Sequence, residues 1–145
     1  MQLERGEERP GLVDIKLGFG GLADFEFLVQ GYLLVHGYQD AALQVRSVRK
    51  ALPEVLARFI DSPAPVEEAL RAFNSLRALE HRLRLYTNTA ASRLAEPLLP
   101  AMMAIGLWPP KAGECRIESW HDLQRIRRRA RSLLLESCPE LPPAP

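Results

Sequence analysis

Cysteine is scarce in this chain of 145 residues, which contains only Cys115 and Cys138. The two residues are far apart, and neither belongs to a Cys-x-x-Cys or Cys/His pattern. The sequence therefore predicts neither a zinc site nor a disulfide framework. So little cysteine is typical of proteins in a reducing compartment, and we expect this protein to act in the cytoplasm.

An excess of charge of one sign and a long apolar run are also missing. Lysine and arginine total 19 against 18 acidic residues, so the formal net charge is only +1. This balance gives no overall attraction to nucleic acid. No apolar run approaches the roughly 20 residues that span a bilayer, and the start, MQLERGEERPG, has no apolar signal-peptide stretch. We expect neither a nucleic acid nor a membrane as a partner.

Alternation of apolar and polar residues, the pattern of a half-buried strand, is not found between turn signals. Apolar residues instead recur at spacings of three and four in several segments separated by proline, glycine and short polar stretches. Pro53 lies inside the second of these segments and predicts a kink or a new helix start. The sequence predicts an all-α fold, an antiparallel bundle of about four to five helices with a kinked second helix.

The ends of the chain differ in composition from its middle. Residues 1–11 are charged and contain glycine and proline, which predicts a flexible lead-in. Residues 139–145, PELPPAP, predict a disordered tail. The bundle is therefore expected at 12–138, and Ser119 with Asp122 forms a capping-box pattern that predicts the start of its last helix.

The segment DIKLGFGGLADFEFLVQ, residues 14–30, contains Gly18, Gly20 and Gly21 directly before a helical pattern. A Walker loop needs lysine and a hydroxyl after its last glycine, but here the chain continues with Leu-Ala. A dinucleotide-binding loop needs a surrounding βαβ unit, which an all-α chain does not supply. The glycine cluster is therefore interpreted first as a tight turn that leads into a helix.

Two acidic residues follow the glycines, Asp24 and Glu26, and both complement the dipole of the predicted helix at its first turn. Glu26 is flanked by phenylalanines, and Gln30 lies one turn further on the same face, so Lys16, Glu26 and Gln30 are a candidate polar cluster that ties the loop to the helix. The two carboxylates point about 200° apart around a helix, which makes them a poor metal clamp.

The same segment resembles a signature of the glutamine synthetase adenylyltransferases, Lys-x-Gly-x-Gly-Gly-x-x-Asp-x-Glu-Phe-x-x-Gln, and is related to segments of the uridylyltransferase that modifies the PII protein. The matching positions are Lys16, Gly18, Gly20, Gly21, Asp24, Glu26, Phe27 and Gln30. A second block, FNSLRALEHRLRLYTN, resembles that family's Leu-Arg-x-Leu-Glu-His-Arg-Leu segment. Its matching positions are Leu76, Arg77, Leu79, Glu80, His81, Arg82 and Leu83. The similarity covers about residues 12–135, with Ala23 in place of an arginine and Phe25 where isoleucine or valine is usual.

The resemblance implies a helical bundle that follows a nucleotidyltransferase domain. It implies that the whole enzyme transfers AMP from ATP, with magnesium, to a tyrosine of glutamine synthetase, or removes it, under control of PII and glutamine. The family's catalytic Gly-Ser motif and Asp-x-Asp pair are absent from this sequence, so we assign it no catalytic residue, metal site or cofactor of its own. The chain is expected to be an accessory or regulatory domain, inactive alone, whose partners are the nucleotidyltransferase domain, glutamine synthetase and the PII protein.

Within that interpretation, the glycine motif is expected at the junction with the catalytic domain, close to the nucleotide. Its candidate residues are Lys16, Gly18, Gly20, Gly21, Asp24, Glu26 and Gln30. The second motif supplies Arg77, Glu80, His81 and Arg82. The neighbours Glu80 and His81 are an acid–base pair or part of a packed helix, and packing is favoured because adjacent helix residues point about 100° apart.

Arginine crowds the last predicted helix. One interpretation is a contact with a partner through Arg125, Arg127, Arg128 and Arg131, and the other is a solvated face whose long side chains cover apolar neighbours. The first would make the chain a stand-alone helical module that binds a regulatory protein. A third hypothesis is a small nucleotide-binding protein that uses the glycine turn and Lys16.

Overall fold

The computed structural model describes residues 9–36, 47–105 and 114–137. In these ranges the chain forms five helices and a two-stranded sheet, in the order β1 (Leu12–Asp14), α1 (Leu22–His36), α2 (Val48–Phe59), α3 (Pro63–Thr87), β2 (Arg93–Ala95), α4 (Leu98–Ala104) and α5 (Trp120–Ser137). Helix α3 is the longest and packs against all four other helices. The predicted mainly helical bundle is confirmed.

Helix α3 is central because one side of it is apolar and buried over most of its length. Phe73, Leu76, Leu79 and Leu83 recur at spacings of three and four and are all buried. Burying each such side chain stabilises the fold by about 1.5–3 kcal/mol. The helix ends where Asn88 adopts a left-handed conformation with φ of 52°, a common helix stop.

The sheet corrects the expectation that the chain has no strands. β1 and β2 pair antiparallel, with Val13 opposite Leu94 and Asp14 opposite Arg93. Each strand has only three residues, and Val13 and Leu94 point into the core. A strand this short contains a single alternation, so its period cannot be distinguished from chance in the sequence.

Helix α1 differs from its predicted environment. The sequence predicts an almost wholly apolar, buried helix, and Phe25 and Val29 are indeed in the core. The other side is open: 54% of Phe27, 85% of Leu34 and 63% of Val35 are exposed. Because α1 is apolar on all sides, its sequence does not show which side faces the bundle.

The remaining expectations concern the other helices and the termini. Helix α2 continues through Pro53, so this proline is neither its start nor its end, and a kink there stays a prediction. Helix α4 begins at Leu98 and contains Pro100 in its first turn. Residues 1–8 of the predicted lead-in and the predicted tail at 139–145 lie outside the described residues, and the domain boundaries stay predictions. Among the described residues, no helix combines the length and apolarity that crossing a membrane needs.

The cap of α5 agrees with its sequence pattern. The Asp122 amide donates to Ser119 Oγ at 3.2 Å, and Asp122 Oδ2 accepts the Glu118 amide at 3.0 Å. The hydrogen bond from the Glu118 amide is the main reason that the pKa of Asp122 is lowered. Both bonds satisfy backbone N–H groups at the start of the helix that have no partner within it.

Replacing the Asp122 carboxylate tests its role at the start of α5. We expect Asp122→Ala to lower the free energy of unfolding by about 1 kcal/mol at neutral pH. Because the folded-state pKa lies below the ordinary value of 3.8, this stabilisation is present above that value and is lost as the pH falls through the folded pKa. Urea unfolding at about pH 7 and about pH 3 would measure it. Asp61→Ala, at an exposed acid, is the control, and an equal loss for Asp122→Ala at both pH values would contradict the account.

Candidate functional site

The glycine turn, residues 14–24, connects β1 to α1 and is held by a buried aspartate. Asp14 Oδ1 accepts the amides of Lys16 at 3.0 Å and Leu17 at 2.8 Å, and its carbonyl accepts the Gly18 amide at 2.9 Å. Asp14 Oδ2 lies 4.0 Å from Arg93 Nε on the paired strand. Sequence reasoning missed Asp14; the signal was an aspartate directly before a glycine-rich segment, where it can bond to the backbone of the turn.

Most backbone amides of the glycine turn donate to acceptors inside the turn itself. Those of residues 16–18 and 20–24 all donate to acceptors within residues 14–24. A phosphate-binding loop needs such N–H groups aimed at the ligand. The hypothesis of a small nucleotide-binding protein built on this turn therefore has no support in the geometry of these amides, and the position of the motif at the junction with a catalytic domain stays a prediction.

Glycine is required in the turn for steric reasons. Gly20 has a φ of +66°, and its amide donates to Asp24 Oδ2 at 2.6 Å. A Cβ on Gly20 would lie 2.1 Å from the carbonyl oxygen of Arg127 in α5, and a Cβ on Gly21 would lie 2.6 Å from that of Ile15. Both distances are far below a van der Waals contact, so the turn can pack on α5 only without a side chain at Gly20 and can close on itself only without one at Gly21.

Two arginines of α5 cover the glycine turn. Arg131 Nη1 lies 3.0 Å from Asp24 Oδ2, in an ion pair whose side chains are only 6% and 0% exposed. The Arg127 guanidinium lies 4.6 Å from the centre of the Phe19 ring and donates to Gln124 Oε1 at 2.8 Å. The ion pair joins the first turn of α1 to α5, and the cation–π contact closes the turn from the same side.

This arrangement corrects the predicted partner contact on the last helix. Arg127 and Arg131 are buried and face the glycine turn, whereas Arg125 and Arg128 are exposed. Arg127 and Arg131 are four residues apart and so share one side of the helix, which the buried Asp24 selects. Only two of the four predicted contact residues therefore lie on the surface.

The remaining motif residues point outward. Gln30 is exposed, Lys16 and Glu26 are half-buried, and no hydrogen bond or ion pair joins the three within the described ranges, so the expected polar cluster is not formed. The motif thus has an inner half that builds the turn, namely Gly18, Gly20, Gly21 and Asp24. The side chains of its outer half, Lys16, Glu26 and Gln30, take no part in the hydrogen bonds that hold the turn.

The arginines of the second motif hold parts of the bundle together. Arg82 pairs with Glu114, with both guanidinium Nη atoms 3.4 Å from Glu114 Oε2. Because both side chains are largely buried, this pair fixes the segment before α5 to α3. The Arg77 guanidinium lies 5.7 Å from the centre of the Phe73 ring.

Glu80 and His81 do not act as a pair. Glu80 Oε1 lies 3.5 Å from Arg84 Nη2, one turn along α3, and His81 is exposed. This geometry gives no support to an acid–base pair, and the packing interpretation fits Glu80, which is mostly buried, but not the exposed His81. The described residues include no group of three or more His, Cys, Asp or Glu that could hold a metal ion.

The chain is similar to known proteins over most of its length. A model of the GlnD PII-uridylyltransferase family matches residues 2–134. The chain is similar to the bifunctional glutamine synthetase adenylyltransferase/adenylyl-removing enzyme of Pasteurella multocida, with 37% identity over 99 residues, 68% of this chain and 10% of that protein. The enzyme of that name from Chromobacterium violaceum is 34% identical over 114 residues, 74% of this chain and 13% of that protein. The chain thus spans about a tenth of the length of these relatives. No solved structure matches it significantly.

Two glycine substitutions provide a matched test of the turn. We expect Gly20→Ala to lower the free energy of unfolding by about 1–3 kcal/mol from its positive φ alone, and by more through the contact with the Arg127 carbonyl. Gly31→Ala is the control, because Gly31 lies in α1 and an added Cβ would meet nothing within 4 Å. It should stabilise the chain by about 0.5–1 kcal/mol. Urea unfolding of both variants measures the difference, and a neutral Gly20→Ala would contradict the packing described.

Proposed function

This chain belongs to the GlnD PII-uridylyltransferase family, and on that premise we propose that it is the helical accessory domain of a glutamine synthetase adenylyltransferase/adenylyl-removing enzyme. In this proposal the chain is inactive alone and supports transfer of AMP to glutamine synthetase by a nucleotidyltransferase domain. ATP is the substrate of the whole enzyme, PII its regulator and the cytoplasm its location. In the proposal magnesium is bound by the catalytic domain, whose carboxylates would hold it together with the phosphates of ATP.

The observation that carries the proposal is the outer side of α1, which we name the docking face: Glu26, Phe27, Gln30, Leu34 and Val35. These residues lie at helical spacing, so they form one continuous surface. Phe27, Leu34 and Val35 are more than half exposed. Large exposed apolar side chains with polar neighbours on one helix are typical of an interaction site.

The glycine turn and the first part of the docking face, Glu26, Phe27 and Gln30, belong to one motif. Its inner half fixes the start of α1 against α5 through the Asp24–Arg131 ion pair and the close contact at Gly20. Its outer residues Glu26, Phe27 and Gln30 then project from a helix whose position is fixed. This supports a role in which the turn orients α1 and the docking face contacts the nucleotidyltransferase domain.

The rival proposal of a stand-alone module that binds through α5 has less support. It relies on four arginines, of which Arg127 and Arg131 are buried against the glycine turn. The exposed Arg125 is paired with Asp122 at 3.3 Å. The two exposed arginines that remain, Arg125 and Arg128, form a smaller candidate interaction surface than the docking face.

Reconstitution tests the proposal. A nucleotidyltransferase domain of this family would be mixed with ATP, magnesium and glutamine synthetase, with and without this chain, and the AMP incorporated would be measured. We expect the chain to raise the rate at least about tenfold, equal to about 1.4 kcal/mol in the barrier. The chain without that domain should transfer none. No effect of the chain would contradict the accessory role.

A matched pair of leucines identifies the surface involved. Leu34→Ser on the docking face should remove most of the rise in rate. Leu85→Ser is the control, because Leu85 is also exposed, at 61%, but lies on α3. Both variants should fold normally, since neither side chain is in the core. An equal loss of activity in the two variants would contradict docking through α1.

A further inference from the structure

A cleft of about 560 Å³ opens between α3, α5 and the segment at 114–116. This volume is in the range of small-molecule sites, about 300–1000 Å³. Its floor is apolar and buried, formed by Ala72, Ile126, Ala130 and Leu133. Four arginines stand around the floor: Arg71, Arg116, Arg125 and Arg129. We name this site the arginine cleft.

The arginines of the cleft differ in whether a carboxylate neutralises them. It has four guanidinium groups and two carboxylates, those of Glu68 and Glu114. Glu68 is held by Arg129 through two bonds of 2.8 and 3.2 Å, and Glu114 is held by Arg82 from outside the cleft. Arg71 has no ion pair among the described residues. Arg116 Nε lies 2.6 Å from Glu118 Oε1, and Arg125 Nη2 lies 3.3 Å from Asp122 Oδ1. Arg71 is therefore the arginine of the cleft that is available to an anion.

The combination of arginines and apolar floor favours a specific kind of ligand. Guanidinium groups bind carboxylate or phosphate through paired hydrogen bonds, and the floor gains stability when it contacts an apolar body. No aromatic side chain lines the cleft in the part of the chain that the structure describes, so bases of a nucleic acid would have no stacking platform.

We propose that the arginine cleft binds an organic anion of small-molecule size, with a phosphate or carboxylate held by Arg71 and its neighbours and an apolar body on the floor. The cleft is separate from the glycine turn. Arg125 and Arg129 lie two residues before Arg127 and Arg131, about 200° around α5. The inference does not rest on the proposed function, because binding is a property of this chain alone.

Titration of the ¹⁵N-labelled chain tests the proposal, with amide shifts in NMR spectra as the readout. The probes are 1-naphthyl phosphate, 1-naphthoate, inorganic phosphate and neutral 1-naphthol. We expect the tighter of the two aromatic anions to bind at least about tenfold more tightly than inorganic phosphate or 1-naphthol. The shifts should lie near residues 71–72, 115–116 and 125–130. Tighter binding of naphthyl phosphate would identify a phosphate site, and tighter binding of naphthoate a carboxylate site.

Two arginine variants provide the matched control. Arg71→Ala removes an exposed side chain, so the fold is kept, and it should weaken binding of the preferred anion about tenfold. Arg49→Ala removes an exposed arginine of α2, far from the cleft in the sequence and not part of its walls, and should change nothing. The proposal is overturned if 1-naphthol binds as tightly as the anions, if both variants weaken binding equally, or if the shifts occur at the glycine turn instead.

Discussion

The buried ion pair between Asp24 and Arg131 is the interaction on which the rest of the site depends. Both side chains are almost completely inaccessible, and a charge left alone in such a place costs about 3–5 kcal/mol. Asp24 Oδ2 also accepts the Gly20 amide at 2.6 Å, so one carboxylate connects α1, the glycine turn and α5. The turn can approach α5 this closely only because glycine places no Cβ against the Arg127 carbonyl.

Because the turn packs so closely on α5, the inner and outer residues of the glycine motif have different roles. The glycines and Asp24 build a turn in which the amides of residues 16–18 and 20–24 are already bonded, which explains why a loop that looks suited to phosphate does not present these amides to a ligand. The outer residues of α1 are left to form the docking face. Helix α5 is used on two sides in the same way: Arg127 and Arg131 serve the turn, while Arg125 and Arg129 stand at the arginine cleft. Alternate residues of one basic stretch thus have different environments.

Much of the fold follows from local patterns. The stripe of α3 and the Ser119–Asp122 cap were predictable because each depends on residues within a few positions of one another. The strands were not, since three residues carry too little alternation. The burial of Arg127 and Arg131 was also beyond sequence reasoning, because the acid that selects this side of α5, Asp24, is 107 positions away. For the same reason the exposed side of the uniformly apolar α1 could be identified only in the folded chain.

A double-mutant cycle on Asp24 and Arg131 tests the central claim most directly. Urea unfolding would be measured for Asp24→Asn, Arg131→Met and the double variant, with Arg128→Met as an exposed control on the same helix. The account predicts a loss of about 3 kcal/mol for Arg131→Met, a control within about 0.5 kcal/mol of the parent chain, and a coupling energy of about 2 kcal/mol between the two sites. Losses that simply add, within about 0.5 kcal/mol, would show that the pair does not hold the glycine turn to α5.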